Sequence, residues 1–111
     1  MLPLEVSAPE VKARLDAGEK HRLLDCREPH EWQLCRIDGA TLIPMNTIPA
    51  NLQLVESLAE EDATVVVYCH HGVRSINVAH WLRQQGVERV QSMAGGIDHW
   101  SLAVDSTVPR Y

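Results

Sequence analysis

The sequence has no run of basic residues. Lysine and arginine total 10 against 15 aspartate and glutamate, a formal charge of -5. With no basic run to neutralise phosphates, the composition argues against nucleic acid as the main partner. It has no apolar stretch long enough to span a bilayer and no signal-peptide pattern, so no membrane partner is expected. Its three cysteines, at positions 26, 35 and 69, are odd in number and unclustered. They fit neither a disulfide scaffold nor a zinc knuckle, and they point to a reducing, cytoplasmic compartment. No internal repeat or low-complexity segment interrupts the chain. What is present is 111 residues, 45% of them hydrophobic, which suits a single domain over residues 1–111 with a real core.

The chain is organised around Thr64-Val65-Val66-Val67-Tyr68-Cys69-His70-His71-Gly72-Val73-Arg74-Ser75. Three consecutive valines without alternation predict a strand buried on both faces, as in a parallel sheet covered by helices. The strand ends at Cys69, and a short loop with one glycine follows. Helical spacing then sets in from about Ser75 to Gln85, through Ile76, Val78, Ala79, Trp81 and Leu82. A strand that delivers a thiol into a loop opening on a helix is a layout for a nucleophile. The N–H groups of such a loop and of the first helical turn can form an anion-binding cup. Cys69 stands at the start of that cup and Arg74 at its far side.

The flanking segments read as scaffold. Leu4 to Val6 predicts a short strand. Ser7 then caps a helix with Pro9 in its first turn, Glu10 completing the box and Gly18 as the stop. Arg22 to Cys26 is a second strand, ending in a polar turn from which Pro29 opens a short helix through Leu34. At that strand end Asp25 and Arg27 can pair and brace neighbouring loops; a structural ion pair is favoured over direct catalysis. Cys26, in an apolar strand, reads as a buried inert thiol. Ala40 to Ile43 is a short strand stopped by Pro44, residues 44–50 are loop, and Leu52 to Ala59 is an amphipathic helix. Val87 to Met93 is the fifth strand, Ala94-Gly95-Gly96 a tight turn, Ile97 to Trp100 a short helical turn, and the tail an irregular segment on the domain. Strands alternating with helices at this pace give a three-layer α/β domain.

These residues resemble the rhodanese-like sulfurtransferase domain over nearly the whole chain. The likeness is carried by Asp25-Cys26-Arg27-Glu28-Pro29 with Glu31-Trp32, Ile37-Asp38-Gly39-Ala40 with Ile43-Pro44, and Tyr68 through Ser75. It continues in Ala79, Leu82 and Gly86, then Gly95-Gly96-Ile97 with Trp100. The resemblance, to the single-domain thiosulfate sulfurtransferase type, implies a central, mostly parallel five-stranded sheet flanked by helices. It implies that Cys69 takes sulfane sulfur from thiosulfate or a related donor, becomes a persulfide, and passes the outer sulfur to cyanide, a thiol or a thioredoxin-like acceptor. No cofactor is implied. The amides of residues 70 to 74 would cradle the sulfur, making His70, His71, Gly72, Val73, Arg74 and Ser75 the binding loop. Arg74 would hold the anionic donor, with Asp25 and Arg27 supporting the loop. Two positions depart from the family pattern: Arg36 stands where histidine is frequent, and Cys26 where an apolar residue is usual.

Related phosphatases and arsenate reductases of this fold use a loop one residue longer, fitted to a tetrahedral oxyanion. Cys69 to Arg74 spans six residues, which suits a single sulfur atom. His70 and His71 with Cys69 invite a metal reading, but adjacent loop side chains converge poorly and no further ligand follows at the right spacing. No outside group is evident to orient either as a general base. They are expected as rim residues that raise positive potential when protonated and shape acceptor entry. His21, His30, His80 and His99 read as surface or packing residues. The remaining alternative is a sulfur-carrier or protein-binding module without free turnover.

Overall fold

In the computed structural model, which describes all 111 residues, a five-stranded sheet is covered by helices on both faces. The strands are β1 (Glu5–Ser7), β2 (His21–Asp25), β3 (Thr41–Leu42), β4 (Thr64–Tyr68) and β5 (Val90–Ala94). The helices are α1 (Ala8–Asp16), α2 (Pro29–Leu34), α3 (Leu52–Leu58), α4 (Val73–Gln84) and α5 (Gly96–Ala103). The strand order is β1-β5-β4-β2-β3 and every pairing is parallel, so the three-layer α/β expectation is met. No helix is long and apolar enough to cross a membrane.

β4 is central because its sequence suits no other place. All five of its residues are buried, and a strand without polar alternation must be covered on both faces. Val65 and Val67 pack with Leu24, Val78, Ala79 and Leu82 under α3 and α4. Val66 and Tyr68 face the other way, into Leu23, Val11, Met93, Ile97 and Trp100 under α1 and α5. Trp100 is a buried anchor of this second cluster. Each fully buried valine contributes about 1.5–3 kcal/mol relative to exposure, so the strand that carries Cys69 is the most firmly held part of the sheet.

Element ends differ from expectation in ways that matter for the site. α4 begins at Val73 rather than near Ser75, so the loop proper is only Cys69 to Gly72, and Val73, Arg74 and Ser75 form the first helical turn. α5 is an eight-residue helix rather than a single turn. Ile97, Trp100 and Ser101, at helical spacing, are buried and draw it onto the sheet. β3 shrinks to two residues and β5 starts three residues late. Ser7 caps α1 as expected, its hydroxyl accepting from Glu10 N at 3.2 Å.

Candidate active site

A loop backbone offers as many carbonyls as amides. It becomes an anion cup only if the carbonyls are engaged elsewhere. Here α5 does this. Ile97 N donates to Cys69 O at 2.9 Å and Asp98 N to His70 O at 3.1 Å. Gly96 permits the approach: a Cβ on it would lie 2.4 Å from both of those carbonyl oxygens, and its φ is +60°. The Gly95-Gly96 pair therefore docks α5 on the loop as well as turning the chain. Gly72, with φ +99°, turns the loop into α4 while packing 3.1 Å from Gly95 N, measured from its would-be Cβ.

With the carbonyls withdrawn, Cys69 Sγ accepts hydrogen bonds from Gly72 N at 3.1 Å and Ser75 N at 3.3 Å. Ser75 Oγ lies 3.5 Å away and is itself 2.7 Å from Ser92 Oγ on β5. Of the cradle expected over residues 70 to 74, only the Gly72 amide reaches Sγ, and Ser75, just beyond, supplies the second. The amides of His70, His71, Val73 and Arg74 have no acceptor within the chain. The last two lie at the positive end of a twelve-residue helix.

The thiol is tuned by a neighbour that sequence reasoning set aside as inert. The neighbouring Cys26 thiol is the main influence that lowers the Cys69 pKa; burial opposes it, and the Ser75 hydroxyl and the Ser75 and Gly72 amides add to it, bringing it to about 4. The same contact, with burial, pushes the Cys26 thiol far up. The two amides on Cys69 Sγ favour the thiolate there, with Cys26 as the proton-bearing partner. A folded-state pKa below the unfolded one means the thiolate's contribution to stability is present above the ordinary thiol pKa and is lost as pH falls through about 4. Ultraviolet titration of the native protein is expected to show one thiolate protonating near pH 4. Cys26→Ala is expected to move that midpoint upward, and an unmoved midpoint would show that the amides alone set it.

Arg74 lies in the first turn of α4, and its guanidinium is engaged with Glu31 of α2, Nη1 to Oε1 at 2.6 Å and Nη2 to Oε2 at 2.9 Å. Arg74 holds the Glu31 carboxylate far below the usual range despite its burial. Glu31 also accepts from the Tyr111 hydroxyl. That hydroxyl accepts in turn from Arg27 Nη1 at 2.9 Å, while burial and then the bond to Glu31 push the Tyr111 phenol up to about 12. Arg27 is fully buried against Asp25, Nη2 to Oδ2 at 2.6 Å. A continuous chain Asp25–Arg27–Tyr111–Glu31–Arg74 thus links the end of β2 to the thiol loop. From sequence Glu31 enters only as part of the family pattern, with no role at the site, and Tyr111 is not singled out.

The Tyr111 ring stacks on His70 at 3.8 Å and 7°, and His71 packs on the other histidine at 3.8 Å. The tail, expected to lie irregularly on the domain, ends on the rim of the site. His71 faces Asp98, already paired with Arg110 at 2.8 Å. No three metal-ligating side chains gather in the fold. The larger surface clefts lie elsewhere, one between α3 and the segment after α4 and another beneath the tail around Trp100. Cys69 lines none of them and is 1% exposed.

The Rhodanese-like domain family model matches residues 7–103. A protein described as a sulfurtransferase from Allochromatium vinosum is 34% identical over 97 residues, covering 87% of each chain. The probable adenylyltransferase/sulfurtransferase MoeZ of Mycobacterium tuberculosis is 34% identical over 108 residues, covering 96% of this chain and 26% of that protein. The chain spans only 23% to 31% of the length of the first several curated relatives it matches. Among solved structures, human single-domain sulfurtransferase TSTD1 superposes with a TM-score of 0.76 at 29% identity, covering 92% of this chain and 98% of that one.

Proposed function

The chain belongs to the rhodanese-like family, and from that membership and the Cys69 cup we propose that it is a sulfurtransferase working through a Cys69 persulfide. The observation that carries this is a buried Cys69 Sγ at the end of β4 that accepts from the Gly72 and Ser75 amides, in a loop whose other amides have no acceptor within the chain. The Cys69 thiolate attacks the sulfane sulfur of thiosulfate. The S–S bond of the donor breaks, its electron pair leaves with sulfite, and Cys69 holds the outer sulfur as a persulfide anion. That sulfur takes the free amides of the loop, which stabilise the charge it carries. Cyanide or a thiol then attacks it and Cys69 departs as thiolate again. Because donor and acceptor use one site in turn, the kinetics are ping-pong. His70 and His71 shape the rim, and three free thiols suit a reducing, cytoplasmic setting.

Intact mass is the direct test. Mixing with thiosulfate is expected to add roughly 32 Da, one covalent sulfur, and cyanide to remove it. Aryl phosphates should be turned over negligibly. No added sulfur from any sulfane donor, with phosphate-ester turnover through Cys69, would replace this reading by the phosphatase one.

Arg74 has N–H groups beyond the two committed to Glu31, and they are suited to the oxyanion end of the donor. Arg74→Ala is expected to raise the KM for thiosulfate by about tenfold or more, the loss of one charged hydrogen bond. It should also lower stability, since Glu31 loses its partner. Lys should restore the charge only in part. Unchanged donor kinetics in a folded Ala variant would confine Arg74 to bracing α2.

A second reading, sulfur carriage to a protein acceptor, is supported by exposed Val73 at the first position of α4, beside the thiol loop. A rate with a protein dithiol far above that with cyanide would favour it.

A further inference from the structure

Register makes Cys26 and Cys69 neighbours. Asp25 of β2 pairs with Tyr68 of β4, and Cys26 N donates to Tyr68 O at 3.1 Å. The next residue on each strand is the cysteine. Alternation puts both on one face, for Leu24, Cys26, Val65, Val67 and Cys69 share one core cluster while Leu23, Val66 and Tyr68 lie in the other. Adjacent strands run about 4.8 Å apart, inside the roughly 4.4–6.8 Å Cα span that a disulfide bridges. Both thiols are buried and free. Cys35 belongs to the opposite cluster, its Sγ 4.0 Å from Arg27 Nη1, so the sheet separates it from this pair.

We propose that Cys26 is the resolving thiol of Cys69: once Cys69 Sγ carries a leaving group, Cys26 displaces it and closes a Cys26–Cys69 disulfide. Two leaving groups fit. A peroxide oxidises the Cys69 thiolate to a sulfenic acid and is itself reduced, its O–O bond breaking. Cys26 sulfur then attacks Cys69 Sγ, the S–O bond breaks, and the hydroxyl leaves with the Cys26 proton as water. On the persulfide, which rests on the sulfur-transfer reading above, Cys26 attacks the inner sulfur. The outer sulfur leaves with the Cys26 proton as hydrosulfide, reduced as Cys26 is oxidised. A dithiol returns both cysteines to thiols by exchange.

The resting site keeps this reaction silent. The negative charge on Cys69 holds the proton on Cys26, and two groups in that state have nothing to exchange. Oxidation or sulfuration of Cys69 removes that charge from Sγ and frees the neighbour. The disulfide spares Cys69 from irreversible over-oxidation and lets a loaded enzyme discharge as sulfide when no acceptor arrives.

The test uses the whole chain, dosed with hydrogen peroxide in small molar excess, quenched in acid, alkylated and mapped by peptide mass. Wild type is expected to lose two of its three alkylatable thiols, to drop by roughly 2 Da as two thiol hydrogens leave, and to yield a linked Cys26–Cys69 peptide pair that dithiothreitol releases. Cys26→Ala should instead accumulate Cys69 sulfinic acid that the reductant does not reverse. Cys26→Val, apolar and of similar volume, serves if the alanine variant does not fold. A second arm loads both proteins with thiosulfate and withholds acceptor: wild type should release hydrosulfide and form the same disulfide while Cys26→Ala keeps its sulfur. Failure of both proteins to load would overturn the sulfur-transfer reading while the peroxide arm still decides the resolving role. Sulfinic acid forming as fast in wild type as in the variant, or a crosslink to Cys35, would overturn the proposal.

Discussion

Cys69→Ser is expected to lower the sulfur-transfer rate by roughly 10⁴- to 10⁶-fold, the scale seen when an enzyme's nucleophile is removed, and to gain no mass from thiosulfate. The substitution is nearly isosteric. Gly72 N and Ser75 N, which donate to Sγ at 3.1 and 3.3 Å, can still donate to a hydroxyl oxygen. The fold should therefore persist, with circular dichroism and urea midpoint close to wild type. Chemistry fails because the cup is tuned for a thiolate, and a hydroxyl does not ionise at any working pH. Cys69→Ala makes the informative contrast. It strands two buried amides without an acceptor, at about 1–3 kcal/mol each, so it should be destabilised where serine is not. Persistent sulfur loading in the serine variant would move the carrier role to another cysteine, and peptide mapping would identify it.

Much of the sheet was legible because its signals are local. Val65-Val66-Val67 can only be covered on both faces, and Cys69 at the strand end with Gly72 after it marks the loop. What escaped depends on contacts between distant positions. Cys26 reads as an inert thiol because hydrophobic pattern says that it is buried but not what it is buried beside. Only the β2–β4 register, between strands some forty residues apart, sets it against Cys69. Glu31 meets Arg74 across 43 positions and Tyr111 across 80. An acidic residue on a short helix carries no mark of burial, and a tail with a proline carries no mark of an anchor. α5 was underestimated because two adjacent glycines signal a turn. Here Gly96 is also the first residue of the helix, chosen for its contact with the loop carbonyls.

Arg27→Ala is expected to cost about 3–5 kcal/mol, the usual consequence of removing one partner from a buried ion pair. A small domain has a total of about 5–15 kcal/mol, so much of the chain should be unfolded or aggregated at growth temperature. Both Arg27 and Asp25 side chains are wholly buried. The guanidinium gives Nε and Nη2 to the Asp25 carboxylate, Nη2 also to Cys35 O at 2.7 Å, and Nη1 to the Tyr111 hydroxyl at 2.9 Å. Truncation leaves Asp25 in the core with only the residue 27 amide, at 3.0 Å in the native protein, as its donor. It also releases Tyr111, which holds Glu31, which holds Arg74, so any folded fraction should have a loosened rim. Arg27→Lys keeps a charge but not the fork, and should recover only part of the loss. The decisive comparison is the Asp25→Leu/Arg27→Met double variant, which removes the pair without stranding a charge. Its urea midpoint should lie well above that of Arg27→Ala. A double variant no more stable than the single one would mean that the pair acts through its bonds to Cys35 O and Tyr111 rather than through the buried charge.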